Sequence, residues 1–154
     1  MIDINIINET SKLEAVVVGL ADDFGGIPAV SECYDPKSRE HVLAGTFSDN
    51  QLCVRQMDGL VKVLEKYNVT VYRPKNIKGL NQIFSRDIAF VVGNMLILPN
   101  VIKDRRIEIG ALDTLLSKIQ DSNKIKMPEG VRAEGGDVIV CNEHVFVGYS
   151  EEED

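Results

Sequence analysis

Apolar positions along the chain fall into two kinds of block: short β-branched runs bounded by turn residues, and a few stretches with helical spacing. Residues 13–19 (LEAVVVG) form a run of the first kind that closes on Gly19, which predicts a buried strand. Residues 20–47 show no period, and Asp22-Asp23, Gly25-Gly26, Pro28 and Asp35-Pro36 supply turn chemistry. This predicts a long irregular loop, a feature that is often functional in a compact domain. Ser48-Asp49 then offers an N-cap, and Cys53, Met57, Leu60, Leu64 and Tyr67 recur at spacings of 4, 3, 4 and 3. An amphipathic helix ending near Asn68 is expected, with a strand over 69–72 that Pro74 stops. Gly59 within that helix costs about 1 kcal/mol relative to alanine.

From Asp87 the pattern changes. Two apolar runs, 88–92 and 95–99, are joined by Gly93-Asn94, where Gly can adopt the positive φ of a tight hairpin. A helix is expected from about Asp104 to Ile119, with Ile109, Leu112, Leu116 and Ile119 as its apolar stripe. After a turn at Asp121-Ser122-Asn123, residues 138–141 and 144–147 form a second hairpin around Asn142-Glu143. Each hairpin begins with an Asp, runs through apolar residues, turns on an Asn-containing pair and returns. Asp87 and Asp137 lie 50 residues apart, and a period of that size points to a repeated strand–strand–helix–strand unit of propeller type. The expected class is therefore α/β, built of ββαβ-type repeats.

Composition narrows the picture. The 154 residues are 44% hydrophobic and 27% charged, which suits a single domain or part of one and excludes collagen-like or disordered classes. The formal net charge of −7 is concentrated at one end, since Glu151, Glu152, Glu153 and Asp154 carry four of those charges. No basic footprint of a nucleic-acid binder is present. No run approaches the roughly 20 apolar residues of a membrane helix, and no secretory leader is visible. Cys33, Cys53 and Cys141 stand 20 and 88 residues apart, which fits neither a disulfide framework nor a zinc site. Reduced thiols in a soluble cytoplasmic protein are the expectation.

Two segments place acids directly before apolar hairpins: Phe84-Ser85-Arg86-Asp87 and Ala133-Glu134-Gly135-Gly136-Asp137. The paired glycines permit close backbone approach to a neighbour or a ligand. Carboxylates at the mouths of adjacent strands would converge on one pocket, and they suit a planar cationic ligand such as a guanidinium. Acids beside glycine are also ordinary turn residues, and Arg86-Asp87 reads equally as a surface pair. Arg105-Arg106-Ile107-Glu108 opens the second helix either as a solvated face or as a clamp for a substrate carboxylate. His41 and His144 have no second ligand at metal spacing, and the surroundings of the three cysteines show no base that would activate a nucleophile. Neither GxGxxG nor GxxxxGK[ST] occurs, so no cofactor is implied.

The segments FSRDIAFVVGN (84–94), PNVIKDRRIE (99–108) and AEGGDVIVCNEHVFVGYS (133–150) resemble the guanidino-group-modifying superfamily. That superfamily includes amidinotransferases, arginine deiminases and dimethylarginine dimethylaminohydrolases. RDIAFVVGN looks closest to the amidinotransferase branch, and EGGD to the deiminase and dimethylaminohydrolase pattern. NETSKLEAVVVG (8–19) is similar to the family's first strand. The resemblance implies a five-bladed α/β propeller, the pentein, and attack of a Cys thiolate on a guanidinium carbon with a His as general acid/base. Matched residue by residue, it implies that Asp87 binds the guanidinium and that Glu134 partners the catalytic His. Arg106, with Arg105 the less favoured choice, would bind the substrate's α-carboxylate, and Asp137 would tie down its loop.

In the family the catalytic His and Cys follow the EGGD hairpin, whereas here the hairpin is followed only by the acidic residues to Asp154. Five units with a period near 50 need roughly 250 residues. Residues 1–154 therefore correspond to the N-terminal part of the domain, about half of the ring. Propeller units bury their faces against neighbours, so an isolated half is expected to expose an apolar edge and to pair with a second copy or with the missing half. The expected function is that of an amidinotransferase-like enzyme acting on arginine or a related small guanidino compound, with this chain inactive alone. The alternatives are a hydrolase of the deiminase or dimethylarginine type, a non-catalytic binding protein on the same propeller, and a plain α/β interaction module.

Overall fold

The β-branched run Ala15–Val17 forms strand β1, and the buried Val18 follows it in the computed structural model, which describes residues 1–33 and 35–149. Tyr34, Ser150 at the end of the EGGD segment, and the acidic tail 151–154 lie outside the described residues. β1 pairs in parallel with β2 (Thr70–Tyr72), from Ala15↔Thr70 to Val17↔Tyr72. Parallel neighbours need a crossover, and helices α1 (Pro36–Leu43) and α2 (Asn50–Lys66) lie between them. Asp35 caps α1 through Lys37 N and Ser38 N, and Asp49 caps α2 through Leu52 N. Asn68, at φ 60°, turns the chain out of α2 toward β2.

The second sheet has three strands. After a single helical turn, α3 (Ser85–Ile88), strand β3 (Phe90–Val92) runs antiparallel to β4 (Met95–Leu98) around Gly93 at φ 57°. β4 pairs in parallel with β5 (Lys124–Lys126), and the crossover carries α4 (Arg106–Gly110) and α5 (Asp113–Leu116). The third sheet is the hairpin of β6 (Val138–Cys141) and β7 (His144–Val147), turning at Asn142 with φ 55°. Ile88, Val101, Leu112 and Leu115 form the central apolar cluster, flanked by Ile2, Tyr72 and Ile109.

Several expectations are corrected. The loop over 20–47 contains the helix α1, because Asp35-Pro36 caps and starts a helix as readily as it makes a turn. The helix expected over 104–119 is broken into a 3₁₀ turn at Lys103–Arg105, then α4 and α5, with Gly110 at the end of α4. Ile88 belongs to α3 rather than to a strand and points into the core. On α2, Leu60 and Tyr67 are exposed, and Cys53, Met57 and Leu64 with Val54 and Val61 carry the half-buried face instead. A helix of period 3.6 rotates Leu60 off the stripe that Val61 occupies. No residue of α2 is fully buried. Strand β5 was not foreseen, since Lys-Ile-Lys has no apolar run to mark it.

Candidate functional site

The short turn α3 presents Asp87 one residue before the buried Ile88, and the 3₁₀ turn Gly135–Asp137 begins directly after Glu134. These two turns pack against each other, and the glycines explain how closely. A Cβ on Gly136 would lie 2.6 Å from Asp87 Oδ1, and a Cβ on Gly135 would collide with the backbone carbonyl of Arg86. Only glycine lets the EGGD backbone lie against α3.

Arg86 stitches the same junction from the other side. Its Nε donates to Gly135 O at 2.8 Å and its Nη2 to Val138 O at 2.6 Å, while Nη1 and Nη2 reach both oxygens of Glu9 at 3.2 and 2.9 Å. The Arg86 hydrogen bond holds the Glu9 carboxyl below the usual carboxylate range despite partial burial.

Between the acids lies Arg105, whose side chain is 8% exposed. Its Nη1 donates to Asp87 Oδ2 at 2.7 Å and stands 3.6 Å from Glu134 Oε2. Its Nε and Nη2 bind Glu108 Oε1 and Oε2 at 2.8 and 2.9 Å, and Nη2 also donates to Phe84 O at 3.1 Å. Burial works against the Arg105 charge, but the hydrogen bonds to Glu108 and Asp87 outweigh it and raise its pKa. Burial also pushes Glu134 above the ordinary carboxylate range. Arg105 opposes that shift, and the charges of Asp87, Asp137 and Glu108 add to it. Three carboxylates thus surround one guanidinium, and the excess negative charge suits a second cation.

Asp87, Glu134 and Arg105 are therefore brought together. Arg106 is not: it is exposed at the start of α4, turned away by the helical phase that buries Arg105 and Glu108. Asp137 is exposed and follows the glycines in their 3₁₀ turn. Glu108, 2% exposed, and Glu9 were not singled out from the sequence. The i,i+3 spacing of Arg105 and Glu108 was the available signal for the first. The hydrogen bonds and ion pairs of the cluster include no thiol or imidazole among the described residues. His41 Nδ1 lies 2.9 Å from Thr46 Oγ1, His144 stacks on Phe146, Cys33 donates to Ala29 O, and Cys141 is exposed. Among the described residues no three His, Cys, Asp or Glu side chains gather as a metal site.

Comparison with solved structures shows that the chain shares its fold with two amidinotransferases and a dimethylarginine dimethylaminohydrolase. The amidinotransferase SxtG from the saxitoxin biosynthetic pathway of Microseira wollei aligns with a TM-score of 0.69 and 18% identity, over 93% of this chain and 54% of that one. The inosamine-phosphate amidinotransferase StrB1 of Streptomyces griseus aligns at 0.60 and 19%, over 88% and 52%. The dimethylarginine dimethylaminohydrolase of Pseudomonas aeruginosa, solved with citrulline, aligns at 0.66 and 13%, over 90% and 51%. The chain spans about half the length of these solved structures. No protein-family model matches the sequence, and no curated protein does either.

Proposed function

We propose that this chain carries the guanidinium-binding side of an amidinotransferase-like active site. Asp87 and Glu134 receive the cationic head of arginine or a related small guanidino compound. The observation that carries the reading is the meeting of these two carboxylates at the Arg105 guanidinium, 2.7 Å from Asp87 and 3.6 Å from Glu134. Bidentate carboxylates hold a guanidinium in a fixed plane and leave its carbon open to attack along the perpendicular. Glu134 in this reading also orients the imidazole that shuttles protons.

The nucleophilic Cys and the acid/base His belong, in this proposal, to a second half of a five-unit propeller that completes the ring. The thiolate adds to the guanidinium carbon, the substrate's amine leaves with a proton from the His, and the amidino group stays on sulfur until an acceptor amine takes it. Were ammonia to leave instead, with a proton from the His, the alkylthiouronium would stay on sulfur, and its hydrolysis by water would release citrulline, the reaction of a deiminase-type hydrolase. The amidinotransferase reading is favoured by the alignments to SxtG and StrB1 together with the RDIAFVVGN segment. The test is turnover of arginine to ornithine or citrulline, with and without glycine or lysine as acceptor. The 154-residue chain alone should be inactive, and a complementing C-terminal half should restore turnover. Asp87→Ala or Glu134→Gln should then abolish most of it. Turnover by the chain alone that disappears with Cys33→Ala would overturn the assignment of the nucleophile.

A further inference from the structure

We infer that Glu108 is a positioning residue that parks Arg105 on one side of the site, so that the arginine fixes Asp87 without neutralising Glu134. The geometry of the donors carries this. A guanidinium has five N–H groups in a rigid fork. Glu108 takes the Nε edge of that fork in a two-point contact at 2.8 and 2.9 Å, and Phe84 O takes a further Nη2 bond at 3.1 Å. Only Nη1 faces the other acids. It bonds Asp87 at 2.7 Å and stops 3.6 Å short of Glu134, outside hydrogen-bond length. Among the described residues the Glu134 carboxylate accepts no hydrogen bond from another side chain. Its side chain is one-third exposed, where the side chains of Glu108 and Arg105 are 3% and 8% exposed.

The arrangement answers a specific problem. A buried arginine beside two ligand-binding carboxylates is itself the best ligand for them. Left free, its fork would close on Asp87 and Glu134 together and occupy the place of the incoming guanidinium. A third carboxylate, buried and charged, holds two of its three nitrogens elsewhere. The residual negative charge at the open end then falls on Glu134. This rests on the guanidinium-binding reading of Asp87 and Glu134, and it adds a requirement: the cluster must contain one more acid than its arginine can serve.

The experiment uses the 154-residue chain, L-arginine as probe, and carbon-13 NMR titration of the Glu134 carboxyl. The groups facing it are Arg105, Asp87, Asp137 and Glu108. Glu108→Gln should let Arg105 swing onto the acid pair. Arginine affinity should fall at least tenfold, and the Glu134 pKa should drop below its ordinary value of about 4.3. Should Glu108→Gln fail to fold, the paired Arg105→Met/Glu108→Gln variant removes cation and anchor together, a change often neutral for stability. It should keep the Glu134 pKa above its ordinary value, because no cation is left to swing onto that carboxylate. The proposal is overturned if Glu108→Gln keeps a raised Glu134 pKa and binds arginine within twofold. It is overturned equally if Glu134 merely relaxes to its ordinary value, which marks a structural role, or if the paired variant lowers the Glu134 pKa as Glu108→Gln does. Absence of arginine binding by the unsubstituted chain would count against the guanidinium reading, while the Glu134 titration still decides the role of Glu108.

Discussion

Glu134 is held where burial works against its charge. Its pKa is raised by burial, so the folded chain binds more protons than the unfolded chain once the pH passes its ordinary value of about 4.3. The stabilising contribution of the protonated form is complete below that value and is lost as the pH rises through the raised folded pKa. Glu134→Gln removes the titration, so its thermal midpoint should gain on the unsubstituted chain as the pH is taken from about 4 toward neutrality. Melting curves across that range check it, and parallel curves would count against a strained carboxylate. Gly135→Ala should cost about 1–3 kcal/mol in urea denaturation, because the added methyl meets the backbone carbonyl of Arg86, which cannot move alone. Asp87, Glu134 and the glycines were legible in the sequence because they sit at fixed offsets before apolar hairpins. Glu9 and Glu108 were not, since a lone glutamate reads as a solvated surface until its partner is known. Helical phase, which an Arg-Arg pair does not reveal, puts Arg105 among the acids and Arg106 at the surface.

Among the elements, the hairpins were the most legible. Residues 138–141 and 144–147 form strands at the expected bounds, because both apolar runs flank a turn residue that tolerates positive φ. Short elements without an apolar run were invisible: the end of α3 looked like the start of a strand, and the Lys-Ile-Lys of β5 carried no strand signal. Side-chain chemistry joins the elements alongside isolated backbone bridges such as Ile6↔Gly93 and Asn8↔Cys141. Arg86 ties the Glu9 segment, the EGGD turn and the start of β6 together through two carbonyls and a carboxylate. Its side chain is half-exposed, so the charge pair adds little, but the carbonyl acceptors lose their donor when it goes. Arg86→Ala should therefore destabilise the chain by about 2 kcal/mol. Hydrogen exchange should also speed up at Val140 N, which donates to Glu9 Oε1. Unchanged exchange there would show that the N-terminal segment docks without this stitch.

The molecule as a whole exposes more surface than its mass calls for. A compact monomer of 17.1 kDa presents about 7,800 Å² by the usual scaling, whereas this chain presents 10585 Å². Much of the apolar part lies on the last hairpin, where Ile139, Val145, Phe146 and Val147 are each 46–59% exposed, and beside it on Tyr149 at 86%. A cleft of about 840 Å³ also opens between the N-terminal segment and the central cluster, lined by Ile4, Glu9, Val16, Arg86, Leu115 and Val138. Ile139 and Phe146 pair across the hairpin on one face, and an exposed apolar pair of this kind favours association. Phe146→Ser should lower the apparent mass in sedimentation velocity at high concentration and reduce binding of a hydrophobic dye. Equal behaviour of the two proteins would place the sticky surface elsewhere. The α/β class and the hairpin order were readable from sequence, and an exposed apolar edge was expected; which residues form it was not, because apolar periodicity marks which residues want burial and not whether anything covers them.

The central claim, that Asp87 and Glu134 form a site for a guanidinium, is met most directly by calorimetric titration of the chain with L-arginine against L-citrulline. Citrulline replaces the charged guanidinium with a neutral ureido group of nearly the same shape. The account predicts saturable one-to-one binding of arginine, none of citrulline, and loss of arginine binding in Asp87→Asn and in Glu134→Gln. Equal binding of the two ligands, or arginine binding that survives both substitutions, would contradict it.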